Sequence, residues 1–357
     1  MLPPDCDAED GPEAIVHGLL GAGSVLAMER LSGGGNNRLY RVETPRGSLA
    51  LKCYGADDRL AREFDALTVL AANGETAVPR PVAADRTCQA ALYGWIDGAA
   101  VGRNAVERPD GDIAQALAFA ARLTALDLRI PASMLGEAAE ACLSLSELAA
   151  QIERRFARLQ AGAPALGGFL DTGVRTAIDS AMMRARDLYA GARIDPNRPL
   201  DPRLRTLSPS DFGFHNALRH PDGRLVFLDF EYFGWDDPVK LTADFLWHPG
   251  FGLSPTERSE WLDGCMSLFG TRPAGDPGFT TRLEAQMPLF GLRWCLILLN
   301  EFLPDRWERR RFAGTAGGWE EAKAAQFAKA QAWLAEVSRR LDTAEFPLSA
   351  SFAPAER

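Results

Sequence analysis

The hydrophobic pattern of this 357-residue chain changes its period near residue 110. Before that point, apolar and polar residues alternate in short runs, which is typical of half-buried strands. After it, apolar residues recur every three or four positions, as at Leu145, Leu148, Ile152, Phe156 and Leu159. At about 100–200 residues per domain, the length allows two or three domains. The pattern predicts an α+β, bilobal chain with a small strand-rich N-lobe and a larger, mainly helical C-lobe.

Local signals refine this plan within the small lobe. Residues 39–43 and 48–52 alternate on either side of a turn that contains Pro45 and Gly47, which predicts a β-hairpin. A helix is expected over residues 58–72, because Leu60, Phe64 and Leu67 fall on one face. Residues 90–93 are predicted to form a further strand.

A second hairpin is predicted inside the helical part. Residues 216–219 and 224–228 flank Asp222-Gly223, and Asp-Gly between apolar runs is a strong hairpin signal. Helical patterns resume after it and continue almost to the end. We expect four segments: a leader over 1–23, an N-lobe over 24–98, a C-lobe over 99–345 and a tail over 346–357.

The charge balance limits the class of partner. Lys and Arg number 39 against 48 Asp and Glu, a formal net charge of −9, so a global attraction to nucleic acid or to an anionic membrane is not expected. The N-terminal segment lacks the pattern of a signal peptide, and the apolar stretch 288–304 is too short and too charged to span a bilayer. We expect a cytoplasmic protein with a buried helix over that stretch; the sequence does not indicate an oligomeric state.

A run of glycines opens the first hairpin. Gly33, Gly34 and Gly35 stand in the segment 32–37, just before the first strand of that hairpin. Consecutive glycines let backbone N–H groups approach an anion closely, so this loop is a candidate to cover nucleotide phosphates. A plain turn is the alternative.

A lysine lies at the end of the second strand of the same hairpin. Lys52 follows an apolar run, and Glu63 stands eleven residues later in the predicted helix. Lys52 is either an edge-strand charge in solvent or a buried cation, which would need a carboxylate partner and could bind phosphate oxygens.

Polar residues flank the second hairpin. Asn216 begins its first strand, Asp229 follows its second strand, and Asp211 stands five residues before Asn216. An amide and a carboxylate at one end of a hairpin suit Mg²⁺, and Asp211 would then be free to accept a proton from a substrate hydroxyl. The alternative is that Asp211 caps a turn and Asp229 begins a loop.

The motifs together resemble those of the aminoglycoside phosphotransferase and choline kinase family, which has a protein-kinase-like fold. The resemblance runs from about residue 24 to the end of the helical lobe and is clearest at residues 33–42 and in 210–216 with 228–238. It implies the following roles: Asp211 as catalytic base, Asn216 and Asp229 as Mg²⁺ ligands, Lys52 as the ligand of the α/β-phosphates paired with Glu63, and Gly94 and Ile96 as backbone contacts of the adenine of ATP.

The chain departs from the family pattern at its catalytic loop. The family usually has a histidine two residues before the catalytic aspartate and another two residues after it, where this chain has Pro209 and Gly213. We expect an ATP- and Mg²⁺-dependent kinase that phosphorylates a hydroxyl of a small polar metabolite, such as a sugar, amino sugar or amino alcohol. The alternative is a nucleotide-binding regulatory module without phosphoryl transfer, and Pro209 is its best support.

Two sets of residues bear on the acceptor. The first set is the carboxylates of Glu231, Asp236, Asp237 and Asp244, which either form an acidic mouth for a cationic acceptor or are structural. The second set is the aromatic residues Tyr232, Phe233, Trp235, Trp247 and Trp294. These either form a cation–π cage or belong to the core, which is the commoner case.

Overall fold

The computed structural model describes residues 11–343 apart from 32–36, 56, 127–129, 131–133, 271–275 and 314–317. The glycines of the predicted phosphate loop, Gly33 to Gly35, lie outside the described residues, as do the first ten residues of the predicted leader and all of the predicted tail. The expected segment boundaries therefore stay predictions.

The first part of the chain forms a five-stranded sheet with two helices beside it. These elements are α1 (Pro12–Leu20), β1 (Ala27–Leu31), β2 (Arg38–Thr44), β3 (Gly47–Cys53), α2 (Asp57–Ala72), β4 (Pro81–Asp85) and β5 (Ala90–Gly94). The strand order in the sheet is β1-β2-β3-β5-β4. All strand pairs are antiparallel. The predicted first hairpin, helix and strand are confirmed.

The alternation along β2 and β3 divides the sheet into two faces. Val42 and Leu51 are buried together with Leu92 of β5, and Val16 of α1 covers this group. Lys52, the next residue along β3, points to the opposite face because side chains alternate along a strand. That face carries α2, so the register of the hairpin places the lysine on the side of the helix.

The rest of the chain is mainly helical. Its elements are β6 (Ala99–Ala100), α3 (Asp112–Leu126), α4 (Leu145–Gly162), α5 (Arg175–Gly191), β7 (Thr206–Ser208), β8 (Ala217–Arg219), β9 (Leu225–Phe227), β10 (Gly234–Asp236), α6 (Pro238–Trp247), α7 (Pro255–Gly270), α8 (Phe279–Leu298), α9 (Pro304–Ala313) and α10 (Trp319–Thr343). Short 3-10 or π-helical turns link several of them, including Phe214–Asn216 just before β8. The expected fold class is confirmed.

Helix α8 forms the centre of the large lobe. It packs against α4, α5, α6 and α10, and most of its residues are buried. The predicted apolar stretch 288–304 begins inside α8, and its Leu289, Phe290 and Leu292 are fully buried, so the expectation of a buried helix is confirmed. Among the described residues, no helix is long and apolar enough to cross a membrane.

Two small sheets lie where the large lobe meets the small one. Strand β7 pairs with β10, and β8 pairs with both β6 and β9, which confirms the predicted second hairpin. The backbone N–H of Leu228 donates to the carbonyl of Asn216 (2.8 Å), which extends the β8–β9 ladder by one pair. As a result, the segments before β8 and after β9 leave the hairpin side by side.

Candidate active site

Lys52 joins the two lobes. Its Nζ lies 2.7 Å from Glu63 Oε2 of α2 and 2.6 Å from Asp229 Oδ1, which follows β9. The side chain is only 13% exposed, so the buried-cation interpretation of this lysine holds over the solvent-facing one. Burial alone would lower the pKa of the Lys52 ammonium, but the carboxylates of Asp229 and Glu63 outweigh burial and raise its pKa above the ordinary value.

Glu63 is held by more than the lysine. Its Oε2 also accepts from the hydroxyl of Tyr54 (2.8 Å), and its Oε1 accepts from the backbone N–H of Phe230 (3.2 Å). The Tyr54 hydroxyl in turn lies 2.6 Å from that of Tyr93. The carboxylate is therefore fixed from both lobes and keeps the Lys52 ammonium at one point of the cleft.

Asp211 lies in a tight loop after β7. Ser210 adopts φ of 67°, a left-handed conformation that costs a residue with a side chain about 1–3 kcal/mol. The Ser210 hydroxyl accepts from Lys240 Nζ (2.6 Å) and its N–H donates to Ser208 Oγ (3.0 Å). These bonds hold the strained backbone and direct the Asp211 side chain, which is about one-third exposed, towards the cleft.

Asn216 connects Asp211 with Asp229. The Asn216 Nδ2 donates to the Asp211 backbone carbonyl (3.0 Å) and lies 3.4 Å from Asp211 Oδ2. The backbone carbonyl of Asn216 accepts from the backbone N–H of Leu228, the residue before Asp229. A continuous chain of contacts thus runs from Asp211 through Asn216 and Asp229 to Lys52.

The donors at Asn216 and Asp229 fit a hard cation. Because Nδ2 of Asn216 is tied to the Asp211 loop, its amide oxygen is the atom left to bind a cation. Asp229 adopts a left-handed φ of 63° and keeps one-third of its side chain exposed, with only Oδ1 on Lys52. One amide and one carboxylate oxygen, with the remaining positions left to phosphates and water, is the kind of donor set that Mg²⁺ takes.

The predicted adenine contacts lie at the end of β5. Gly94 is its last residue, and its N–H donates to the carbonyl of Arg80 (2.8 Å), so this donor is used within the sheet. Ile96 follows two residues later, beyond the strand, and is partly exposed. The structure brings together Lys52, Glu63, Asp211, Asn216 and Asp229, with Gly94 at the end of the strand that pairs with β3 and Ile96 just beyond it.

Two histidines contact Asp211. His248, the residue after α6, places Nε2 3.1 Å from Asp211 Oδ1, and His215 places Nε2 3.3 Å from the same oxygen. Burial opposes ionisation, but the two imidazoles outweigh it and hold the pKa of Asp211 well below its usual range. Sequence reasoning missed His248, because 37 residues separate it from Asp211 and no local pattern marks it.

The four carboxylates considered as an acidic mouth are buried and paired. Each of them lies within 3.1 Å of a cationic group: Glu231 on Arg59, Asp236 on Lys240, Asp237 on Arg282 and Asp244 on Arg293. Paired, desolvated carboxylates present little net charge to a ligand, so the structural interpretation of this cluster is favoured.

The aromatic residues of the same region belong mostly to the core. Phe233, Trp235, Trp247 and Trp294 are all less than 10% exposed. The Trp247 indole N–H donates to Met287 of α8, and that of Trp294 donates to Asp244. Tyr232 stands with the Arg59 guanidinium 5.3 Å from its ring centre. These contacts support the core interpretation over a cation–π cage.

Comparisons with known proteins agree with this geometry. A sequence model described as the phosphotransferase enzyme family matches residues 27–264. No curated protein matches the chain.

Three solved structures illustrate the likeness of fold. A choline kinase from Streptococcus pneumoniae is 16% identical, with 90% of this chain and 98% of that chain covered and a TM-score of 0.55. A spectinomycin phosphotransferase, solved with ADP and spectinomycin, is 13% identical (87% and 96% covered, TM-score 0.54). An ethanolamine kinase from Plasmodium vivax is also 13% identical (85% and 82% covered, TM-score 0.53). The protein-kinase-like fold expected from the sequence is confirmed.

Proposed function

Because the chain belongs to the phosphotransferase enzyme family, we propose that it transfers the γ-phosphate of ATP to a hydroxyl group of a small polar metabolite. The observation that carries this proposal is the position of Lys52 between Glu63 and Asp229, at the junction of the two lobes. A lysine held by a helix carboxylate beside a second, partly exposed carboxylate suits the binding of a polyphosphate and its cation.

The residues around Asp211 support its role as the base. Its carboxylate is ionised because the neighbouring imidazoles hold its pKa low. In the proposed step, a new bond forms between the acceptor oxygen and the γ-phosphorus while the bond from that phosphorus to the β–γ bridging oxygen breaks. The hydroxyl proton moves to Asp211, and ADP leaves. Catalysis of this kind rests mainly on positioning and electrostatics.

Asn216 and Asp229 are the proposed Mg²⁺ ligands. The ion, when bound, would neutralise charge on the phosphates. Lys52 would contact the α/β-phosphates, and the backbone N–H groups of the glycines Gly33 to Gly35 would bind them as well. At the adenine, Ile96 is the better candidate donor, since the Gly94 N–H is already bonded to Arg80.

The acceptor class is a sugar, amino sugar or amino alcohol. The similar structures include a choline kinase, an ethanolamine kinase and a phosphotransferase solved with spectinomycin. Choline, ethanolamine and spectinomycin are small hydroxylated molecules. Cationic side chains of the protein already compensate the charge of Asp236, Asp237 and Asp244. These carboxylates therefore give no reason to expect a cationic group on the acceptor.

Two measurements test the proposal. A thermal shift with ATP should depend on magnesium, and incubation with a panel of hydroxylated metabolites should release ADP and yield a phosphorylated product. Asp211→Ala should keep the ATP-dependent shift and lose transfer, while Asp222→Ala, an exposed aspartate in the β8–β9 turn, should keep both. Undiminished transfer by Asp211→Ala would eliminate the base, and ATP binding without any turnover would favour the regulatory module.

A further inference from the structure

The buried imidazole of His248 makes the best-defined contact of the Asp211 carboxylate. Its side chain is 9% exposed, and its Nε2 lies 3.1 Å from Asp211 Oδ1. His248 follows α6 directly, so its backbone is held by the helix that also carries Lys240, the lysine bonded to Ser210 beside Asp211. The base therefore receives support from α6 at two neighbouring points.

The hydrogen bonds of His248 define its tautomer. The Nδ1 atom accepts from the backbone N–H of Gly250 at 3.0 Å, so Nδ1 carries no proton. In a neutral imidazole the proton then resides on Nε2, which must donate to Asp211 Oδ1. Burial, with the nearby His215, lowers the pKa of His248 and keeps the ring neutral.

Packing prevents the ring from turning. His248 stacks on His215 with centroids 3.7 Å apart and planes 10° apart, and the ring of Trp294 lies nearly perpendicular to it, with centroids 4.5 Å apart. The Trp294 indole N–H is fixed by Asp244 (2.9 Å), which is paired with Arg293. The donor on Nε2 is thus aimed in one direction by a chain of fixed groups.

The catalytic loop leaves little space for an imidazole of its own at position 213. A Cβ atom added at Gly213 would overlap the ring of Phe251. Phe251 lies nearly parallel to both histidines, within 13° of each. The rings of His248 and Phe251, which follow α6, therefore occupy the space beside Asp211.

We propose, on the basis of the proposed phosphotransfer, that His248 is the positioning residue of the base. Its Nε2–H holds Oδ1 of Asp211 and so fixes the carboxylate rotamer, which leaves Oδ2 to receive the proton of the acceptor hydroxyl. His248 takes no proton in the reaction. It supplies from the end of α6 the orienting imidazole that the loop, with Pro209 and Gly213, does not carry.

A metal site made of Asp211, His215 and His248 is the competing interpretation, since their ligand atoms lie within 4.8 Å of one another. An imidazole binds a metal through a lone pair in its ring plane. Two rings stacked 3.7 Å apart and only 10° from parallel cannot both direct such lone pairs at one ion. The geometry favours the hydrogen bond.

The test compares His248→Phe with His248→Gln, using hydrolysis of magnesium ATP with water as the acceptor. Phenylalanine keeps the stacked ring but has no donor, whereas glutamine keeps an N–H donor. We expect His248→Phe to lower kcat about 100-fold, the scale of a misplaced catalytic group, with KM for ATP within about twofold of wild type. His248→Gln restores a donor near its original place and should recover most of the kcat that His248→Phe loses. His220→Phe, in the β8–β9 turn, is the matched control and should behave as wild type.

The outcomes separate this inference from the proposed function. Wild-type kcat in His248→Phe, or an equal loss in both variants with unchanged thermal stability, would overturn the positioning role alone. A wild-type protein that turns over no ATP, either with water or with the panel of hydroxylated metabolites, would overturn the proposed function and this role with it. Should His248→Phe fail to fold, ¹⁵N shifts of the wild-type imidazoles decide: the Nε2–H tautomer at His248 supports the assignment, and the Nδ1–H tautomer overturns it.

Discussion

The Lys52 ammonium lies 2.6 Å from the Asp229 carboxylate, although 177 residues separate them in the chain. The contact joins β3 of the small lobe to the segment after β9 of the large lobe. Glu63 of α2 completes the group from the other side, at 2.7 Å. Any ligand that binds Lys52 and Asp229 together must therefore lie at the junction of the lobes, which is where the proposed phosphoryl transfer would occur.

Replacement of Lys52 by methionine tests the phosphate contact. We expect kcat/KM for ATP to fall about 100- to 1000-fold, the usual cost of removing one preorganised donor. Lys52→Arg should lower kcat/KM for ATP less than Lys52→Met, because arginine keeps the positive charge, though not the compact geometry of an ammonium. Steady-state ATP hydrolysis measures both.

The control for this change is Lys329→Met, an exposed lysine of α10. It should leave kcat/KM unchanged. Equal kinetics in Lys52→Met and Lys329→Met would remove Lys52 from the nucleotide site.

Conversion of Asp229 to asparagine tests the cation site. The amide keeps the shape of the side chain but removes the charge that a Mg²⁺ ligand supplies, so hydrolysis should fall by roughly 100-fold or more. Asn216→Ala should raise the magnesium concentration needed for half-maximal rate. A magnesium titration of ATP hydrolysis measures both effects, and Asp222→Asn, in the exposed β8–β9 turn, should titrate as wild type. Unchanged titrations in both site variants would contradict the assignment.

Lys240 is fully buried between two carboxylates, and its replacement tests stability. Its Nζ lies 3.1 Å from Asp236 Oδ2 and 3.3 Å from Asp244 Oδ2. Lys240→Met would leave buried carboxylates with less compensation, so the free energy of unfolding should fall by about 3–5 kcal/mol. Urea denaturation measures this, with Lys329→Met as the exposed control. A loss below about 1 kcal/mol, the usual value for exposed pairs, would show that the lysine is not desolvated in solution.

Local patterns in the sequence could predict the two hairpins and α2, because alternation, helical spacing and the Asp222-Gly223 turn depend on neighbouring residues only. Since Asn216 and Asp229 flank one hairpin, their closeness could be predicted too. The partners of Asp237 and Asp244 could not be predicted, because Arg282 and Arg293 come from α8, far along the chain. The contact of His248 with Asp211 could not be predicted for the same reason, because it depends on how α6 packs.

Glu231 carries the most direct test of the paired acids. Its Oε1 accepts from Arg59 Nη1 of α2 (2.7 Å), and its Oε2 accepts from Nδ2 of Asn37, the residue just before β2 (2.7 Å). The carboxylate is 1% exposed, and burial with the nearby Asp229 raises its pKa. These contacts make Glu231 a second connection between the lobes, beside the one through Lys52.

A double-mutant cycle on Glu231→Gln and Arg59→Met separates this structural role from binding of a cationic acceptor. If the two side chains stabilise each other, the effects of the single changes on the free energy of unfolding will not add, and the coupling should be about 0.5–3 kcal/mol. The exposed pair Asp65–Arg86 is the control, with a coupling of about 0.2–1 kcal/mol at most. Additive changes at Glu231 and Arg59, together with a raised acceptor KM in Glu231→Gln alone, would return Glu231 to the acceptor site.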